Sequence, residues 1–350
     1  MTDSFTLGLV GCGYWGPNLL RNFHSIDGVD VKVVADRSPE RRAFVAKNYP
    51  AVRLVEEADD VLGDPDIDAV SIATPAATHG PLVRQALEAG KDVFVEKPLS
   101  LNTEEAVGLA RLADAEGRIL MVGHSFLYNA AVRELKRRID DGELGRIYYM
   151  YSQRLNLGIV RSDVDAAWNL APHDVSIGCY LLGQKPVRVT CNGVRALRPG
   201  EHGLDDVSFI NVTFPDEVVM HAHVSWLDPQ KIRRMTVVGD KRMIVYDDVD
   251  SDKLRLYDKG IDLADPAPLE QPTDFARFKA IKRAGDLTIP NIHVPEPLNE
   301  QCRHFTHCVM TRARPLTDGW NGVQVTAVLE AAGRSARNGG APEELDIPDA

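Results

Sequence analysis

The chain has little cysteine: five residues in 350, at Cys12, Cys179, Cys191, Cys302 and Cys308. An odd, scattered set does not make a disulfide framework, and reduced thiols fit a cytoplasmic address. Positive charge is not in excess either, with 40 basic against 51 acidic residues and a net charge of -11. That balance repels a polyphosphate backbone and an anionic lipid surface, so neither nucleic acid nor membrane is an expected partner. No apolar run approaches the roughly 18 residues that a bilayer span requires. Asp3 precedes a short apolar stretch that runs straight into Gly11, a pattern unlike a signal peptide or an anchor. No repeat of about 20 to 50 residues and no low-complexity tract is found. What is there is 44% apolar and 26% charged, the composition of a globular protein with a large core. At roughly 150 residues per domain, the length suggests two domains.

The first third alternates short β-rich runs with helical patterns, as a parallel sheet with crossover helices requires. The expected strands are 5–10, 31–35, 69–73, 92–95 and 119–122, and the expected helices include 79–89 and 104–115. Asn102, three residues before Glu105, reads as a capping box, and Gly117 closes that helix. After Gly123 the character changes. A helix over 130–141 leads into alternating runs at 148–154, 187–195, 208–214, 218–226, 234–238 and 243–246. Successive strands with few crossovers predict an antiparallel or mixed sheet in a separate α+β domain. The proline-rich stretch 261–297 reads as an extended surface connection, followed by helices over 300–311 and 322–337.

The strand at 5–10 runs into Gly11-Cys12-Gly13-Tyr14-Trp15-Gly16 and then a helical pattern opening at Pro17. Such glycines form a tight turn, admit a pyrophosphate to the backbone and let the helix pack closely, while the helix N-terminus faces the phosphates. Asp36, 20 residues after Gly16 at the end of the next strand, is placed to accept from ribose hydroxyls. Its carboxylate favours NAD over NADP, whereas the neighbouring Arg37 can hold a 2′-phosphate and keeps NADP open.

Two more strands break at proline, in Ile72-Ala73-Thr74-Pro75-Ala76-Ala77-Thr78-His79 and Val93-Phe94-Val95-Glu96-Lys97-Pro98. Thr74, Pro75, Glu96 and Lys97 therefore stand at strand C-terminal ends, where open α/β sheets bind ligands. With the glycine loop and the order of the two halves, the Glu96-Lys97-Pro98 signature resembles the glucose-fructose oxidoreductase, inositol dehydrogenase and MocA family, over essentially the whole chain.

The resemblance implies an α/β architecture. An N-terminal Rossmann dinucleotide-binding domain occupies 1–123, and a C-terminal α+β domain with a large open, mostly antiparallel sheet occupies 124–350. It implies an NAD(P)-dependent redox step on a sugar, cyclitol or nucleotide-sugar hydroxyl, and a homo-oligomer, dimer or tetramer, joined through the C-terminal sheet. Gly11, Gly13, Tyr14, Trp15, Gly16, Asp36, Arg37, Thr74, Pro75, His79, Glu96 and Lys97 form its cofactor set. Lys97 is also a catalytic candidate, because an ammonium there stabilises alkoxide character as hydride leaves. The other reading of Lys97 is a surface ion pair with Glu96.

His173, in Trp168-Asn169-Leu170-Ala171-Pro172-His173-Asp174, is the second catalytic candidate, with Pro172 read as a first helical turn. In the family the equivalent histidine exchanges the hydroxyl proton, and many members carry aspartate four residues earlier. Here Asn169 stands in that place; it can bind a substrate oxygen but cannot relay a proton. Asp174 reads as an orienting or capping partner. The remaining substrate candidates are Phe126 and Asn129 at the domain junction, and Arg154, Asn156 and Arg161 in the preceding loop. A core role for Phe126 and a solvated loop for the arginines stand as alternatives.

The run Arg154-Leu155-Asn156-Leu157-Gly158 with the His173 segment and Ser225-Trp226-Leu227-Asp228-Pro229 is similar to the nucleotide-sugar branch. The resulting expectation is hydride transfer at C3 of a UDP-N-acetylhexosamine or its uronate. Inositol or free-aldose dehydrogenase is the alternative, and a non-catalytic NAD-binding regulator the second. A transferase or lyase with tightly held NAD is a third. Metal sites are not expected at Cys302-His304-His307-Cys308, at His221 and His223, or in the acidic run 247–252.

Overall fold

The computed structural model describes residues 4–158, 160–197, 204–263 and 280–349. The first half runs β1 (Phe5–Val10), α1 (Gly16–His24), β2 (Val29–Ala35), α2 (Pro39–Asn48), β3 (Arg53–Val55), α3 (Asp59–Leu62), β4 (Ala69–Ile72), α4 (His79–Glu88), β5 (Asp92–Val95), α5 (Thr103–Ala115) and β6 (Leu120–Val122). Its six strands are parallel in the order β3-β2-β1-β4-β5-β6. Every residue of β4 and β5 is buried, as expected where helices cover both faces. The chain moves outward from β1 to β3 and returns to place β4 on the other side of β1. That reversal opens a crevice at the strand C-termini, between the glycine loop and Thr74.

The second half runs α6 (Ala130–Asp140), β7 (Ile147–Leu157), α7 (Ala166–Leu182), β8 (Arg188–Val194), β9 (Val207–Thr213), β10 (Val219–Ser225), β11 (Leu227–Gly239), β12 (Met243–Asp247), β13 (Leu254–Leu263), β14 (Ala280–Thr288), α8 (Pro297–Thr311), α9 (Gly319–Arg337) and β15 (Glu343–Glu344). Nine strands form one sheet in the order β14-β13-β12-β11-β7-β10-β9-β8-β15. Only β7 and β10 pair in parallel, so the sheet is mostly antiparallel. One face packs on α7. On the other, Tyr149 and Tyr151 stack beside each other and remain exposed, and His223 stacks on Phe209.

Several expectations are corrected. The stretch 261–297 is not all loop: its first residues end β13, and the proline-free 280–288 pairs with it as β14. The prolines at 266, 268 and 272 lie outside the described residues. Pro172 does not open a helix but sits inside α7, whose start is Asp165, accepting from Trp168 N at 2.8 Å. The α5 capping box is half made. Asn102 Oδ1 accepts from Glu105 N at 2.8 Å, but the Glu105 carboxylate turns to the Ser100 hydroxyl.

The last two helices return to the first sheet. Phe305 of α8 meets Phe5, Phe23 and Phe94 edge-on, with centroids 5.7 to 6.4 Å apart. Thr317 O accepts from Val122 N at 2.7 Å, and α9 packs against both α5 and β8. All five cysteines are buried and free. Among the described residues, no helix is long and apolar enough to cross a membrane, and no group of three or more His, Cys, Asp or Glu side chains is arranged to hold a metal.

Candidate active site

The glycine loop has the shape a dinucleotide phosphate needs. Gly11 adopts φ +92°, where a side chain would also strike Ala73 O at 2.8 Å. A Cβ on Gly16 would lie 2.4 Å from Gly11 O, so this glycine lets α1 close onto the turn. A Cβ on Gly13 would meet nothing, which leaves the backbone open to a ligand. Asp36 Oδ2 accepts from Cys12 N at 2.6 Å and Oδ1 from Ser38 N at 2.8 Å, so the acid also ties the loop to the end of β2. Each oxygen keeps a lone pair for a ribose hydroxyl. Arg37 is turned to Glu57, with Nη2 2.9 Å from its carboxylate. The carboxylate of Asp36, at the end of β2, favours NAD by repelling a 2′-phosphate.

From the loop a cleft of about 520 Å³ runs between the two sheets. Gly13, Tyr14, Trp15, Thr74, Pro75, His79, Glu96 and Lys97 line its first-domain side; Phe126, Arg154, Asn156, Arg161, Asn169 and His173 line the other. Tyr14 stands 82% exposed and stacks with Trp15, whose side chain hydrogen-bonds the Glu96 carboxylate. His79 is a buried clamp. Its ring nitrogens lie 2.9 Å from Thr74 O and 2.7 Å from Pro98 O, joining the two strand-end loops beneath the cleft.

Lys97 is buried and donates from Nζ to the backbone oxygen of Asn169, at 2.8 Å. Burial pushes its ammonium below the usual lysine range, opposed by Glu96 and helped by Arg161 and Arg154. The same burial pushes the Glu96 carboxyl up. Lys97 is therefore not the surface half of an ion pair. One turn beyond Asn169 on the same face of α7, His173 rests 4.8 Å from the Phe126 ring. Burial first, then Lys97, Arg154, His124 and Arg233, hold its imidazole well below the ordinary value, hence neutral.

Arg154 is buried and grips Asp174 with Nε at 2.7 Å and Nη2 at 3.3 Å, while its guanidinium lies 4.4 Å over Phe126. Asp174 is thus bound to Arg154. Arg161 bonds Asp163 at the rim, at 2.6 and 2.8 Å. Asn129 does not line the cleft. Its Oδ1 caps α6 through Ala131 N at 2.9 Å, and its Nδ2 reaches Asp248 at 3.3 Å. Two basic residues on the cleft wall, Lys231 and Arg233, were not foreseen. They come from β11, where Arg233 is set opposite Arg154 across the β7 register. Nothing local to residues 231–233 signals a site.

Fold and cleft define a two-domain dinucleotide-binding protein. Residues 5–124 match the family profile described as "Oxidoreductase family, NAD-binding Rossmann fold", and residues 132–245 match the "GFO/IDH/MocA C-terminal domain". The chain is 31% identical over 270 residues to the uncharacterized oxidoreductase YdgJ of Escherichia coli, covering 73% of this chain and 75% of the relative. It belongs to the Gfo/Idh/MocA family. It is also similar to UDP-N-acetylglucosamine 3-dehydrogenase of Acidithiobacillus ferrooxidans, with 28% identity over 277 residues, 78% of this chain and 84% of the relative. With scyllo-inositol 2-dehydrogenase of Bacillus subtilis it shares 34% identity over 193 residues, 53% of this chain, and that match spans only 56% of the relative's length. Among solved structures, WlbA dehydrogenase of Bordetella pertussis, in complex with NADH and UDP-GlcNAcA, shares the fold with a TM-score of 0.80 at 21% identity, over 99% of this chain and all of that one.

Proposed function

We propose that the protein is an NAD-dependent dehydrogenase or ketoreductase acting on a sugar hydroxyl, and that its substrate is a nucleotide-linked sugar reacting at C3. The observation that carries this reading is the meeting of Lys97 and His173 in one buried cleft beside the glycine loop. NAD, when bound, supplies the site that takes up or returns hydride at the substrate carbon. Lys97 hydrogen-bonds the reacting oxygen and stabilises the negative charge that grows on it. His173, kept neutral, takes the hydroxyl proton; in reduction both groups work in reverse. Glu96 keeps Lys97 ionisable in a site that otherwise disfavours its charge.

The substrate class is supported by the basic wall of the cleft, where Lys231, Arg233 and Arg161 bring positive charge and donors to face a diphosphate. The UDP-N-acetylglucosamine 3-dehydrogenase relative and the UDP-GlcNAcA complex of the structural neighbour point the same way. In this reading the protein works in the cytoplasm as a homo-oligomer, with a second copy over the open sheet face that carries Tyr149, Tyr151 and His223.

NADH absorbance in the presence of UDP-N-acetylglucosamine, UDP-N-acetylglucosaminuronate, free glucose or scyllo-inositol tests the proposal. Turnover is expected with a UDP-sugar, and Lys97→Met and His173→Ala should each lose at least about 100-fold in kcat while still binding NAD. Near-normal turnover in both variants refutes the catalytic assignment. Turnover of scyllo-inositol without any advantage from a UDP group transfers the protein to the second reading, inositol dehydrogenase, which the 34%-identical relative favours.

A further inference from the structure

Asp248 directly follows β12 and has no part in the reaction as written above. It is held from several sides. Its Oδ1 accepts from Asn129 Nδ2 at 3.3 Å and from the Tyr246 hydroxyl at 3.2 Å, and both of those donors belong to buried residues. Its backbone N donates to Arg233 O at 2.8 Å, and its backbone O accepts from Lys253 Nζ at 2.6 Å. The remaining oxygen, Oδ2, accepts from Nη1 of Arg233 at 3.4 Å. Asp248 stands behind the cleft wall, whereas Arg233 lines it.

The contact with Asp248 occupies one nitrogen of the guanidinium. Among the described residues, Nε and Nη2 of Arg233 have no hydrogen-bond partner. Those two nitrogens form the side edge of the fork, the edge with which Arg154 grips both oxygens of Asp174. Position decides what the open edge meets. The Arg233 Cζ lies 6.0 Å from the centre of the Phe126 ring, and His173 rests on the same ring at 4.8 Å. Arg233 is also set opposite Arg154, whose partner Asp174 is next to His173 in α7. Lys231 lies two residues away along β11, toward Leu227, which pairs with Leu157 at the end of β7 before the loop of Arg161. The cleft therefore has one cation beside the reacting end and two toward its rim.

We propose that Asp248, fixed by Asn129 and Tyr246, is a positioning residue that presents the open edge of Arg233 to a carboxylate carried by the reacting ring, so that the preferred substrate is a uronate. A carboxylate offers that edge two coplanar charged oxygens, whereas a hydroxymethyl group offers one neutral oxygen. Asn129 then acts on the substrate only through Asp248 and Arg233. The inference rests on the dehydrogenase reading and narrows it: of the basic wall, Lys231 and Arg161 remain for the diphosphate.

Calorimetric titration of the NADH-loaded protein with UDP-N-acetylglucosaminuronate, UDP-N-acetylglucosamine and UDP tests the assignment without requiring turnover. The native protein should bind the uronate about 30-fold more tightly than the neutral sugar, and Arg233→Gln should remove most of that preference while changing the affinity for UDP less than about threefold. Arg233→Lys, which keeps the charge but not the fork, should retain only part of the preference. In the NADH assay Asp248→Asn should raise KM for the uronate about fivefold, a larger change than in kcat. Combined with Arg233→Gln it should add no further loss, because it acts through that side chain. Retained NADH binding shows that each variant is folded. Equal binding of the two sugars by the native protein, an Arg233→Gln variant that weakens both sugars and UDP alike, or additive losses in the double variant overturns the proposal. If instead Lys97→Met and His173→Ala keep near-normal turnover while the uronate preference persists, the catalytic reading has failed and the carboxylate site stands.

Discussion

Arg154 and Asp174 form the ion pair with the most at stake in the cleft wall. Their side chains are 6% and 4% exposed, so neither charge is left to water. Removing one partner strands the other: Asp174→Ala should cost on the order of 3–5 kcal/mol in urea unfolding. The exposed pair Arg37–Glu57 should cost under about 1 kcal/mol when broken by Glu57→Ala, and serves as the contrast. Equal losses from the two variants would remove the case for a buried pair. Of the individual site residues, the glycine loop, Asp36 and Lys97 were legible because each sits at a turn or strand end whose backbone demands declare themselves locally, whereas His173, inside α7, was found through the family resemblance. Lys231 and Arg233 were not legible, because they reach the cleft through the pairing of β11 with β7.

Helix α7 sets the position of Asn169 and His173, and its N-cap is unusual. Asp165 caps it through Trp168 N, yet burial pushes its carboxyl up to about 6, with Asp205 adding to the rise. A carboxyl whose pKa is higher folded than unfolded favours folding only when protonated, so its charged form opposes folding near neutrality. Asp165→Asn keeps an oxygen for the cap and removes the charge. It should raise the urea midpoint at pH 7.5, and its advantage should shrink as pH falls from about 6 toward about 4. Asp165→Ala loses the cap itself, typically about 1 kcal/mol, and should fall below Asp165→Asn at every pH. An asparagine variant weaker than the native protein at pH 7.5 would contradict the burial argument. The same cap explains the misplaced helix start. Proline at 172 reads as an opening residue only when Asp165 is overlooked, and a neighbouring turn of α7 had already begun.

The end of the chain ties the two sheets together. Phe305, from the end of the chain, completes the aromatic cluster of Phe5, Phe23 and Phe94, while Thr317 bonds the last strand of the first sheet. Phe305→Ala should cost on the order of 3–5 kcal/mol, and fluorescence and far-UV circular dichroism should still report one shared urea transition. Two separated transitions, with loss of NAD binding in only the first, would mean that the C-terminal helices do not couple the halves. The cleft has the same origin. Its first-domain wall comes from loops after β1, β4 and β5, and its basic wall from β7 and β11, brought together by packing.

Short-range physics was readable from the amino acids alone. Glycine's access to positive φ marked the phosphate turn, period-two burial marked the strands, and proline marked the breaks that set Thr74 and Lys97 at strand ends. These signals act within a few residues, where sterics and backbone hydrogen bonding leave little choice. Packing and register settled the remainder: Arg233 beside Arg154, Asn129 as a cap instead of a wall, β14 beside β13, and α8 returned to the first sheet. Partners more than about 12 residues apart are chosen by which apolar faces fit and which strands pair, and no local pattern encodes that choice.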